Sequence, residues 1–162
     1  MEIREATAAD WPGIWAVMEP VVRAGETYTW DTDSDERTLR AKWLHEHPPA
    51  RTVVAVLDGE VVGTAETHPN YGGGAADVAN AGFMVAAGHA GRGIARALAE
   101  HVLEEARTDG YRAMVFNAVV ESNERAVGLW RSLGFSVVGT VPDAFRRPDG
   151  SRVGLHVMHR RL

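Results

Sequence analysis

From Val85 to Leu98 the chain reads Val-Ala-Ala-Gly-His-Ala-Gly-Arg-Gly-Ile-Ala-Arg-Ala-Leu, with Gly88, Gly91 and Gly93 close together. Glycines between a strand and a helix start let backbone N–H groups converge on an anion, and the helix dipole adds to the attraction. Gly93 and Ala95 leave room for phosphate oxygens near the backbone, and Arg92 and Arg96 can add charge. The plainer reading is an ordinary tight turn, and spacing alone does not choose between them. Two nucleotide motifs fail here. A P-loop requires Lys-Ser/Thr after its last glycine, where Ile94-Ala95 stands, and the dinucleotide fingerprint G-x-G-x-x-G breaks at Arg96.

Other polar groups stand where they can act. Asn117 sits within the apolar run Met114 to Val120, and a buried amide needs partners. Asn80 is similarly placed on a strand. Glu26 and Tyr28 lie in a loop from Gly25 to Trp30 and can bind an ammonium or relay a proton, or simply be a solvated carboxylate and a rim aromatic. Glu66 and His68 end a strand, where an exposed pair is the plainer reading. His45-Glu-His47 is read as helical, and side chains two apart on a helix point about 200° apart. His156 and His159 fall on opposite faces of a strand. With no H-E-x-x-H and no Cys, no metal site is expected.

The elements that would hold these groups follow from periodicity. Residues 2–6 form a short strand, and Thr7 to Asp10 has capping-box form. Trp11, Ile14, Trp15, Met18, Val21 and Val22 then repeat at helical spacing, with Pro20 expected to kink or shorten the helix before Gly25. A second helix starts at Asp33 or Ser34 and is stopped by Pro48-Pro49. Thr52–Leu57 and Val61–Thr67 form a hairpin about Asp58-Gly59. A strand over 77–86 leads through the Gly-rich turn into a helix ending near Asp109. A buried strand follows over 113–119, then a helix over 123–133, and strands over 135–141 and 152–159. Strands and helices in this mixed order make an α/β sandwich around one sheet.

The chain has 162 residues, within the range of about 100–200 for one domain, and no linker or repeat divides it. Seventeen basic against twenty-two acidic side chains give −5, which argues against nucleic acid as a partner. The absence of Cys excludes disulfides and thiolate chemistry. No apolar run approaches the ~20 residues of a membrane span, and no signal peptide is read, so no membrane partner and a cytoplasmic location are expected.

Two stretches together resemble the GNAT superfamily of acyl-CoA-dependent N-acetyltransferases. Ala90-x-x-Gly93-x-Ala95 is similar to its pyrophosphate motif, Arg/Gln-x-x-Gly-x-Gly/Ala. Asn123-x-x-Ala126-x-x-Leu129-Trp130, followed by Gly134-Phe135, is similar to its second signature, Asn-x-x-Ala-x-x-Leu-Tyr-x-x-x-Gly-Phe. The resemblance covers about residues 77–141, and the order of elements agrees over nearly the whole chain.

It implies a single GNAT-type domain over residues 1–162. The fold would be a three-layer sandwich whose mixed, largely antiparallel sheet splays at its middle, with helices on both faces. It also implies acetyl-CoA as co-substrate, without a metal. Met84 and Val85 would pair with the pantetheine arm, and Gly91, Arg92, Gly93, Ile94, Ala95 and Arg96 would hold the pyrophosphate. Asn123 and Trp130 would contact the cofactor arm. Glu26, Tyr28, Asn80 and Asn117 are the catalytic candidates around the acceptor. Three departures stand out: Ala90 replaces Arg/Gln, Trp130 replaces a Tyr that often acts as general acid, and Asn80 and Gly82 occupy the strand where a Glu is common. The implied reaction is direct attack of a small primary amine (an amino acid, an analogue of one, or a polyamine) on the thioester. A protein lysine or N-terminal acetyltransferase and a non-catalytic acyl-CoA sensor are the alternatives. A homodimer is compatible with the resemblance.

Overall fold

A computed structural model describes the whole chain, Met1–Leu162. In chain order the elements are β1 (Glu2–Glu5), α1 (Trp11–Ala24), α2 (Glu36–Trp43), β2 (Arg51–Leu57), β3 (Glu60–Pro69), β4 (Val78–Val85), α3 (Ile94–Thr108), β5 (Ala113–Val120), α4 (Glu124–Ser132), β6 (Ser136–Arg146) and β7 (Arg152–Arg161).

Local signals account for most of these boundaries. The Thr7 N–H donates to Asp10 Oδ2 at 2.8 Å, a capping box on the 3-10 turn that leads into α1. The helix runs through Pro20 to Ala24 without being shortened there, because Trp11, Ile14, Val17, Met18 and Val22 keep one buried face across it. Asp35, rather than Asp33 or Ser34, caps α2 by accepting from the Thr38 N–H at 2.7 Å. This helix ends at Trp43, well before the prolines, so His45 and His47 are not helical and the angular argument against their convergence does not apply. Between β2 and β3, Asp58 (φ 52°) and Gly59 (φ 84°) both take positive φ, as a two-residue hairpin turn requires. The last hairpin is longer than its alternation suggests, with β6 reaching Arg146.

The seven strands lie in the order β1-β2-β3-β4-β5-β7-β6, and every neighbouring pair is antiparallel except β4 and β5. That parallel pair meets only at Val78–Ala113 and Ala79–Met114. Beyond it the two strands diverge, and the sheet opens at its centre. Both faces are covered. Val54 packs with Ile14, Met18, Leu39 and Trp43 beneath α1 and α2, while Val53 and Ala55 on the opposite face join Ile94, Leu98 and Val102 of α3 and Val127 and Trp130 of α4. No helix is long and apolar enough to cross a membrane.

Candidate active site

The divergence of β4 and β5 opens a cleft of about 810 Å³, lined on one side by Asn80 to Val85 and on the other by Phe116 to Val120. Its apolar floor is aromatic. Trp130 stands 4.9 Å from Phe83 and 4.8 Å from Phe116 between ring centroids, so one indole wedges the two strands apart. Ala126 and Leu129 border the cleft from the same helix, which is why neither is fully buried.

Strand parity decides which backbone groups face this gap. The Ala86 N–H bonds to the Val62 carbonyl, so the hydrogen-bonded pairs with β3 continue at Met84, Gly82 and Asn80. Val85, Phe83 and Ala81 therefore turn their N–H and C=O away from β3. The Asn80 side chain accepts from the Ala81 N–H at 2.8 Å. The Tyr28 hydroxyl donates to the Phe83 carbonyl and accepts from the Phe83 N–H, each at 3.0 Å. Val85 keeps its backbone groups turned toward the gap, whereas those of Met84 serve the β3 ladder. Burial pushes the Tyr28 phenol far up, with a further push from the Glu66 charge against the Phe83 hydrogen bond, so it stays a neutral hydroxyl.

At one end of the cleft the chain turns into α3. Gly91 and Gly93 hold φ of 80° and 79°, in the left-handed region, and an added Cβ at either would meet nothing within 4 Å. Backbone N–H groups from Gly91 to Arg96 find no backbone acceptor, while that of Ala97 bonds to the Gly93 carbonyl at 3.0 Å. A ring of donors at the positive end of a 15-residue helix fits an anionic diphosphate. Gly91, Gly93, Ile94, Ala95 and Arg96 line the cleft, and Arg92 stands exposed outside its lining. Arg96 is turned toward α4, donating to Ser132 Oγ at 2.7 Å. Asn123 caps α4 by accepting from the Ala126 N–H at 3.3 Å, and it borders the same cleft.

The face of the sheet beneath α2 carries a second polar group. Glu66 and Gly82 are directly opposite on β3 and β4, as are His68 and Asn80. Glu66 Oε2 accepts from His68 Nδ1 at 2.7 Å, and His45 Nε2 lies 3.4 Å from the same oxygen, a weaker contact. Burial pushes the Glu66 carboxyl up, but the two imidazoles outweigh it and hold it below its ordinary range. The Glu66 hydrogen bond raises His68 in turn, against burial. The ligating atoms of His45, Glu66 and His68 lie within 4.8 Å of one another, close enough to share a metal ion. The 2.7 Å contact is the length of a hydrogen-bonded pair.

Glu26 is exposed and lies outside the cleft lining, unlike Tyr28 two residues later. Asn117 is exposed rather than buried, and it exchanges reciprocal side-chain hydrogen bonds of 2.9 and 2.7 Å with Asn70, tying β5 to the end of β3. The sequence leaves Glu66 and His68 as an exposed pair at a strand end and places His45 on a helix, whereas the structure buries Glu66 and brings His45 to it from a loop. Strand alternation puts Glu66 and His68 on one face, but nothing local signals that His45 returns to them.

Comparison with known proteins adds to this geometry. Residues 7–135 match the model of the Acetyltransferase (GNAT) family. The chain is 30% identical over 149 residues, 86% of it and 83% of the relative, to the L-methionine sulfoximine/L-methionine sulfone acetyltransferase of Pseudomonas aeruginosa. It is 36% identical over 86 residues to the N-acetyltransferase aca1 of Schizosaccharomyces pombe, a match spanning 53% of this chain and 41% of that protein. Among solved structures, a GCN5-related N-acetyltransferase from Kribbella flavida superposes with a TM-score of 0.95 at 50% identity, covering 99% of this chain and 97% of that one.

Proposed function

Because the chain belongs to the GNAT acetyltransferase family, we propose that it transfers an acetyl group from acetyl-CoA to the primary amine of a small molecule, with amino acids and their analogues as the first class to test. The observation that carries this reading is the meeting, in one cleft, of a splayed strand edge with the donor ring at the start of α3. Gly91 to Arg96 would hold the pyrophosphate, and the free backbone of Val85 would pair with the pantetheine arm. Asn123 and Trp130 would border that arm. The thioester carbonyl, polarised by backbone N–H groups, is attacked directly by the amine. Trp130 serves as an apolar wall; an indole N–H is no useful proton donor. The relative that acetylates methionine sulfoximine supports a small amino-acid-like acceptor. The same reading takes residues 1–162 as a single catalytic domain, working in the cytoplasm without a metal.

A thermal shift with acetyl-CoA, CoA and NAD tests the cofactor assignment. At a hundred times Kd, the two CoA species should stabilise the fold by about 2.7 kcal/mol, or roughly 5–10 °C in Tm, and NAD should not. No shift at millimolar CoA would remove the pyrophosphate assignment. An amine panel (methionine sulfoximine, methionine sulfone, other amino acids, spermidine and a lysine peptide), read by CoA release, then tests the acceptor. Binding without turnover on any amine would favour the acyl-CoA sensor instead.

A further inference from the structure

Within the acetyl-transfer reading, on which the inference rests, we propose that His68 is the base that takes the proton from the acceptor ammonium, and that Glu66 positions it. Both residues border the cleft on the face beneath α2, near Asn80 and Gly82. His68 Nδ1 is engaged by Glu66 Oε2 at 2.7 Å, which leaves Nε2 as the free ring nitrogen on a side chain 38% exposed. A carboxylate on one imidazole nitrogen fixes the tautomer and stabilises the imidazolium that forms when the other nitrogen accepts a proton.

The placement of Glu66 is built into the sheet. It is 7% exposed, and a buried ion pair is seldom kept for stability, since apolar side chains of similar size serve as well. Its Oε1 lies 3.0 Å from where a Cβ of Gly82 would stand, so the carboxylate occupies space that the opposite strand leaves free. The carboxylate thus reaches the cleft from β3 across a position of β4 that has no side chain. His45 Nε2 approaches the same oxygen to 3.4 Å from the loop after α2.

The step balances as follows. The bound ammonium R–NH₃⁺ gives one proton to neutral His68 Nε2, forming R–NH₂ and an imidazolium held by Glu66. The amine lone pair forms the C–N bond to the thioester carbon. The C–S bond breaks as the second nitrogen proton reaches the departing CoA sulfur, directly or through water, and His68 later releases its proton to solvent. The products are the N-acetylated amine, CoA thiol and one proton.

The groups facing His68 are Glu66 on its own strand, His45 from the loop after α2 with ring centroids 6.1 Å apart, and Tyr28, whose phenol feels the Glu66 charge. Since the base acts when neutral, kcat/KM should rise with pH through the His68 titration. Removing the Glu66 charge should move that rise to lower pH.

The test uses the whole chain with acetyl-CoA and methionine sulfoximine, or the best amine of the panel. His68→Ala and His68→Gln should each lower kcat/KM about 10²–10⁴-fold at pH 7 while the CoA-induced thermal shift is kept. Exogenous imidazole should restore part of the rate to His68→Ala. Glu66→Gln should retain CoA binding and show its pH-rate inflection at lower pH than wild type. An active wild type matched within threefold by both His68 variants would overturn this proposal alone. So would an unshifted profile in Glu66→Gln, or activity lost to a chelator and restored by zinc, which would make the cluster a metal site. A wild type that binds acetyl-CoA but acetylates no amine would remove the acetyl-transfer reading, and this proposal with it.

Discussion

At Gly82 an added Cβ would stand 2.8 Å from Trp43 Cζ3 and 3.0 Å from Glu66 Oε1. Trp43 is fully buried and its Nε1–H donates to Thr64 Oγ1 at 3.0 Å, so the indole cannot give way cheaply. Gly82→Ala should therefore cost about 1–3 kcal/mol of stability, read as a lower urea midpoint, and should lower kcat more than it weakens acetyl-CoA binding. The Glu66–His68 pair also makes stability depend on pH. Glu66 is held below its ordinary 4.5, so its contribution is present above that value and is lost as pH falls through the folded pKa. His68 is raised above 6.5, so its contribution is full below 6.5 and is lost as pH rises through the folded pKa. The stability gap between wild type and Glu66→Gln should thus be widest between 4.5 and 6.5 and narrow on either side, as urea titrations across pH would record. At Trp130 the aromatic ring is what matters. Trp130→Phe should keep kcat within a few fold, whereas Trp130→Ala opens the floor under Phe83 and Phe116 and should cost about 3–5 kcal/mol by denaturant titration.

Among the elements, the α3 start separates backbone from side-chain effects. Nothing lies within 4 Å of an added Cβ at Gly93, but φ there is 79°. Gly93→Ala should cost about 1–2 kcal/mol through left-handed strain, and a backbone that relaxes away from it would no longer aim its N–H groups together. The expected result is at least a tenfold rise in the acetyl-CoA Kd by calorimetry, with little effect on the amine KM. These elements were largely legible, because capping residues, turn dipeptides and apolar periodicity act over a few neighbours. The misreadings lie where tertiary packing overrode local rules. α1 keeps its buried face through Pro20, while α2 stops at Trp43, where Leu44 turns extended with φ −87° and ψ 102°.

Across the whole molecule, two apolar cores lie on opposite faces of one sheet, so neither can come apart without exposing strands that the other packs against. Trp11, Trp15, Trp30 and Trp43 report on the layer of α1 and α2, and Trp130 on that of α3 and α4. Arg51 on β2 ties the sheet to the end of α3 through a bidentate pair with Asp109, with a further contact to Glu5 on β1. Unfolding by urea should be one transition, coincident by tryptophan fluorescence and far-UV circular dichroism. Two separated transitions would mean that the layers are independent.

The sequence by itself determined the parts written within a few residues: the Gly-rich turn before a helix, the Asp58-Gly59 hairpin and the order of strands and helices, and with them the fold class. Only the tertiary structure decided the end of the cleft where Glu66 and His68 meet. Which backbone groups of β4 face the gap depends on pairing parity with β3, and a one-residue slip would reverse it. Glu66 meets the space above Gly82 through cross-strand register, and His45 joins it from a loop 21 residues upstream. Such contacts exist only once distant segments pack, because the groups that make them carry no mutual signal along the chain.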